Sequence, residues 1–133
     1  MSWSFKDGIP IYQQIIQILQ VGIAKGIYPP GSKMPAVRDL AMEAGVNPNT
    51  MQRALAELER EGLLYSVRTS GRFVTENEDR LADLRSLMAG SYIEELLEKM
   101  YRLGYSDEQI AEAVNTAIQK HSGSGEGSKN DQI

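Results

Sequence analysis

Four consecutive residues, Gly45-Val46-Asn47-Pro48, constrain this chain more than any other feature. Glycine accepts the left-handed backbone that ends a helix, asparagine caps the free N–H groups of the next one, and proline fits a first helical position. A helix expected over Ala36–Ala44 must therefore turn, with almost no linker, into a helix expected over Asn47–Glu61, which Gly62 ends. Val37, Leu40 and Ala41 form the inward side of the first. Met51, Ala54, Leu55 and Leu58 form an i, i+3, i+4, i+7 stripe on the second. Two helices joined by a short glycine-containing turn make a helix-turn-helix.

The flanking sequence supplies the rest of a small domain. From Pro10 to Gly26 the recurrence of Tyr12, Ile15, Ile16, Leu19 and Ile23 predicts a first helix. Tyr28-Pro29-Pro30-Gly31 reads as loop. After Gly62, Leu64-Tyr65-Ser66-Val67 and Phe73-Val74-Thr75 are β-prone runs around Arg68-Thr69-Ser70-Gly71-Arg72, which predicts a hairpin with a glycine in its turn. Two short strands are unstable alone, so the hairpin must pack on the helices. Three helices followed by a hairpin describe a winged helix-turn-helix, and the expected fold is mainly α with one small β-hairpin.

Beyond Asp79 the chain turns helical and acidic. Leu81, Leu84 and Met88 form one apolar stripe, and Ile93, Leu96, Leu97, Met100 and Leu103 form another beyond Gly90. Ser106-Asp107-Glu108-Gln109 has the form of a capping box, opening a last helix with Ile110, Val114, Ala117 and Ile118 on one face. Ser122-Gly123-Ser124-Gly125 begins a flexible tail. The expected organisation is a winged helix over residues 8–76, a helical dimerisation region over 77–120 and a tail over 121–133. The candidate dimerisation residues are Leu81, Leu84, Met88, Ile93, Leu96, Leu97, Met100, Leu103, Ile110 and Val114, because a two-helix appendage cannot bury both faces alone. The plain alternative is that these helices fold back on their own winged helix.

Charge follows the same division. The net charge is −4, yet residues 1–75 carry eight Lys and Arg against six acidic residues, whereas 76–133 carry six against twelve. A nucleic-acid reader needs a local positive face, which an acidic remainder does not prevent. Cysteine is absent and His121 is the one histidine, which leaves no thiolate nucleophile and no cysteine-based zinc site. The expectation is no catalytic residue, no metal and no cofactor. Neither a signal peptide nor a membrane-length apolar run is visible, so a soluble cytoplasmic protein is expected.

In a helix-turn-helix the second helix enters the major groove with its N-terminal residues near base edges. If its apolar stripe faces the core, Asn49, Arg53, Ala56 and Arg60 face away, with Gln52 beside them. Asn and Gln suit adenine edges, Arg suits guanine, and Ala permits close approach. Thr50 could join backbone amides in holding a phosphate. Each has a plain alternative: Gln52 and Arg53 as solvated surface, Asn47 as a cap only, Arg38 paired with Asp39 or Glu43, and Arg68 and Arg72 as ordinary turn charges.

Several motifs in order carry a resemblance. Pro10-Ile11-Tyr12-Gln13-Gln14-Ile15, Pro30-Gly31-Ser32-Lys33-Met34-Pro35-Ala36-Val37-Arg38-Asp39-Leu40-Ala41, Gly45-Val46-Asn47-Pro48-Asn49-Thr50-Met51 and Glu59-Arg60-Glu61-Gly62-Leu63 strongly resemble GntR-type transcriptional regulators. The Asn-Pro-Asn-Thr segment and the Gly-x-Phe-Val wing are similar to the YtrA-like branch, whose compact helical tail serves dimerisation. The resemblance implies DNA binding through Arg38, the start of the third helix and the wing around Gly71. In this chain Thr69-Ser70 stand before Gly71-Arg72, where the family's usual wing has a basic residue on each side of its first glycine. The candidate DNA-binding residues are Arg38, Asn47, Asn49, Thr50, Gln52, Arg53, Arg68, Ser70, Gly71 and Arg72. The expected partners are a double-stranded DNA operator and a second copy of the chain, bound as a repressor on an inverted repeat; an unidentified small-molecule effector is left open. The competing reading is a winged helix used only for protein–protein contact, which would tend to lose the basic, amide-rich edge kept here as Asn49, Gln52 and Arg53.

Overall fold

The computed structural model describes residues 3–124. In chain order the elements are α1 (Ile11–Lys25), α2 (Val37–Ala44), α3 (Pro48–Arg60), β1 (Leu64–Val67), β2 (Gly71–Val74), α4 (Glu78–Arg102) and α5 (Asp107–Ser124). The chain divides into two compact units, Met1–Leu87 and Met88–Ile133. The expected winged helix is present: three helices, then an antiparallel hairpin pairing Leu64 with Val74 and Val67 with Gly71.

The first unit is built around α3, which packs against α1, α2 and β1. Met51, Ala54, Leu55 and Leu58 are all buried, the stripe expected from their spacing. Each large apolar side chain so removed from water contributes about 1.5–3 kcal/mol. From α1 come Ile15, Leu19 and Ile23, and from α2 Leu40 and Ala41. Tyr12 and Ile16 are only half-buried, and Gln14 takes an inward place instead. Its amide donates to the carbonyls of Lys6 and Ile9 and accepts from the Lys6 N–H, all within 2.9 Å. A buried polar group so satisfied fastens the segment before α1.

The hairpin gains a partner that periodicity did not show. The segment before α2 runs antiparallel along the free side of β2, with Gly31 N to Val74 O at 2.9 Å, Val74 N to Ser32 O at 2.9 Å and Met34 N to Arg72 O at 2.8 Å. β2 is thus paired on both sides, which answers the instability of two lone strands. The turn places Thr69 at φ +71, a left-handed position for a non-glycine residue, and Gly71 at φ +117.

α4 runs unbroken through Gly90, since one glycine costs a helix only about 1 kcal/mol. Two expectations about the C-terminal region are corrected. Leu81 and Leu84 are each 2% exposed inside the first unit, so they belong to this chain's own core and are not offered to a partner. α5 continues through His121 and Ser122 to Ser124, where a tail was expected; the remainder of that tail lies outside the described residues. In the second unit, the capping box forms as its sequence predicts. Gln109 N donates to Ser106 Oγ at 3.2 Å, and Ser106 N donates to Gln109 Oε1 at 2.8 Å.

One contact joins α1 and α3 through polar groups. The Arg53 guanidinium lies over the Tyr12 ring, 4.3 Å from its centroid. A cation over an aromatic face at an exposed site is worth about 0.5–1 kcal/mol. A double-mutant cycle of Tyr12→Leu and Arg53→Ala, read by denaturant unfolding, should give a coupling of that size; additive losses would show that the stacking contributes nothing.

Candidate nucleic-acid interface

The turn between α2 and α3 is fixed by its own backbone. Gly45 has φ +73, and its N–H reaches back to the Ala41 and Met42 carbonyls, closing α2. Two residues on, the Asn47 side chain accepts from Asn49 N at 2.8 Å, with Pro48 in the first turn of α3. Asn47 therefore caps the helix, as its position predicts. The buried stripe then turns Asn49, Gln52, Arg53 and Ala56 to the exposed side, and leaves Thr50 half-buried.

α2 begins without any side-chain cap: Ala36 precedes it in an extended conformation and makes no capping hydrogen bond. Free N–H groups at a helix start suit a phosphate oxygen. Arg38 is exposed in this first turn, and no ion pair holds it among the described residues. At the wing, Arg68 and Ser70 are exposed beside Gly71. Lys33 was not singled out in the sequence because it precedes α2 in a loop. Its side chain lies against the wing tip: a Cβ added to Gly71 would stand 3.2 Å from Lys33 Cε. The β2 pairing of residues 31–34 is what brings it there, and only that long-range contact would have revealed it.

Three arginines near this edge are already engaged within the chain. Arg53 stacks on Tyr12. Arg60, at the far end of α3, pairs with Glu57, which holds that carboxyl below the usual carboxylate range. Arg72 projects back from β2 to α3, where its Nε donates to Glu59 Oε1 at 3.1 Å and its Nη1 reaches Gln52 Oε1 at 3.5 Å. Its side chain is 18% exposed. The expectation that Arg72 stands at the wing tip as a free charge is therefore corrected. Glu59 is held below its ordinary value first by a hydrogen bond from Ser66 and then by Arg72. Glu61, by contrast, is pushed up by burial.

The exposed edge thus combines Lys33, Arg38 and Arg68 with the amides of Asn49 and Gln52, all carried by the first unit. Cations of this kind neutralise backbone phosphates, whereas amides and small side chains can approach base edges. Among the described residues no group of His, Cys, Asp and Glu could hold a metal ion, and no helix is long and apolar enough to cross a membrane.

Comparison with known proteins gives the same assignment. Residues 11–74 match the family described as bacterial regulatory proteins, gntR family. The HTH-type transcriptional repressor YtrA of Bacillus subtilis is 36% identical over 110 residues, covering 82% of this chain and 85% of the relative. A solved GntR family transcriptional regulator from Listeria monocytogenes is 38% identical with a TM-score of 0.79, covering 84% of this chain and 98% of that one. The AraR DBD, solved in complex with operator ORX1, is 30% identical with a TM-score of 0.52, covering 56% of this chain and 96% of that one. With its winged helix, its uncapped α2 start and its relatives in agreement, the chain belongs to the GntR family of bacterial regulatory proteins, and it is a DNA-binding transcriptional regulator of that type.

Proposed function

We propose that the chain is a cytoplasmic transcriptional repressor that binds an inverted-repeat operator as a homodimer. The observation that carries this reading is the exposed edge on which α2, α3 and the wing present Arg38, Asn49, Gln52 and Arg68 together. Arg38 and the free N–H groups of α2 would hold a phosphate, the start of α3 would lie in the major groove, and Arg68 with Lys33 would meet the flanking backbone. The operator complex of the similar AraR domain supports this use of the fold, and the name of YtrA supports repression. A winged helix serving protein contact alone would have no need of this amide-rich, cationic edge.

The dimer is argued from the second unit. Ile93, Leu96 and Leu103 are 55%, 41% and 73% exposed, while Leu97 and Met100 between them are half-buried. The first four repeat along α4 and Leu103 follows its last turn, so that together they form an apolar stripe that is partly or largely exposed among the described residues. Met88 and Val114 are also half-buried, whereas Ile110 is buried, so it is not offered to a partner. The partner surface is thus proposed to be the α4 face from Ile93 to Met100 with Leu103 just beyond it, and the DNA-reading unit is extended to include Leu81 and Leu84. A two-fold assembly reads half-sites about one helical turn, ~34 Å, apart or a multiple of it.

Two measurements test this reading. In the full chain, Ile93→Asp with Leu96→Asp should convert a dimer into a monomer in sedimentation. It should also weaken operator binding about 10²-fold, because avidity of linked modules is lost. A double variant that stays dimeric would refute the proposed face. Separately, Arg38→Ala and Arg68→Ala should each weaken binding on all sequences and make the log–log salt slope shallower by about one. Unchanged slopes at normal melting temperature would remove both residues from the DNA contact.

A further inference from the structure

Arg72, Glu59 and Gln52 form a connected polar cluster between the wing and α3. Ser66 stands opposite Arg72 in the hairpin register. Gln52 and Glu59 are seven residues apart, two turns along one face of α3. The Arg72 guanidinium spans those two turns, with Nε to Glu59 Oε1 at 3.1 Å and Nη1 to Gln52 Oε1 at 3.5 Å. The anchor is firmer than its target: Arg72 is 18% exposed and Glu59 35%, whereas Gln52 is exposed.

We propose that Arg72 is a positioning residue for base readout: by holding the Gln52 carbonyl, it leaves Gln52 to face DNA as a donor and so to select guanine. The inference rests on the reading of this edge as the DNA-binding site. A free glutamine amide offers a donor end and an acceptor end, which matches the acceptor and donor of adenine. With its oxygen turned back toward a guanidinium, the end that faces outward without a partner among the described residues is the NH2 group, with two donors. Guanine presents two acceptors in the major groove, O6 and N7, and suits a donor-only reader. The adenine preference that the residue type alone suggests is thereby inverted by a contact from the wing. The wing's arginine acts on specificity without touching DNA, which distinguishes it from Arg68 at the tip.

The test uses the full chain and duplexes that it selects from a random-sequence pool. Gln52→Ala should relax preference at one base pair in each half-site, and that pair should be G·C. Replacing its guanine by 7-deazaguanine should weaken the unaltered chain about ten-fold and leave Gln52→Ala unmoved. Arg72→Met should lose about the same ten-fold preference at the same pair, with the salt slope kept. Glu59→Gln, which removes the charge that anchors Arg72, should lose part of it, and this variant carries the test if Arg72→Met does not fold. An A·T pair at the Gln52 position would overturn the inference. So would Arg72→Met or Glu59→Gln with preference intact, or an Arg72→Met that weakens every duplex equally with a shallower salt slope, since Arg72 would then be a phosphate contact. Failure of the unaltered chain to bind any duplex would instead strike down the DNA-binding reading on which the inference stands.

Discussion

The burial of one face of α3 governs the other features of the DNA-reading unit. Met51, Ala54, Leu55 and Leu58 enter the core shared with α1 and α2, and no rotation of the helix could keep them there while turning Asn49 or Gln52 inward. The Gly45 and Asn47 caps then fix where the helix begins, and hence which residues form its exposed first turns. Core packing and the composition of the exposed edge are one constraint seen from two sides. The hairpin obeys it as well, because Leu63, Leu64 and Val74 complete the same core and bring the wing beside α3.

Charge on this surface is arranged by pairing rather than by number. Arg53, Arg60 and Arg72 all lie on or against α3, yet each has a partner in the chain: the Tyr12 ring, Glu57 and Glu59. Lys33, Arg38 and Arg68 stand around the edge. A cation paired with a carboxylate, as Arg60 and Arg72 are, adds little to long-range attraction for phosphate, whereas an unpaired one adds a full charge. Arg53, on a neutral ring, keeps its charge but is held in place. Phosphate anchoring is therefore expected at the periphery of the site, with amide chemistry at its centre. This division permits DNA binding by a chain whose net charge is −4.

Local signals were legible in the sequence where local physics decides. The Asn47 cap, the Gly45 stop, the Ser106–Gln109 capping box and the α3 stripe each depend on residues within a few positions of one another. What was not legible depends on distant partners. Gln14 reads as polar surface until the Lys6 and Ile9 carbonyls are placed beside it. Lys33 reads as loop until β2 pairs with its segment, and Arg72 reads as a wing-tip charge until Glu59 faces it. Leu81 and Leu84 share their spacing with the α4 residues beyond them, so periodicity could not separate core from exposed face.

The central claim is that DNA is met by the start of α2, the exposed side of α3 and the wing together. Titration of the isotope-labelled full chain with a selected duplex, followed by amide and side-chain NMR, tests it most directly. The account predicts the largest changes at Arg38, Asn49, Gln52 and Ser70, with buried Gln14 and the exposed α4 face near Ile93 little affected. Changes centred on α4 and α5, with the α3 edge silent, would contradict it.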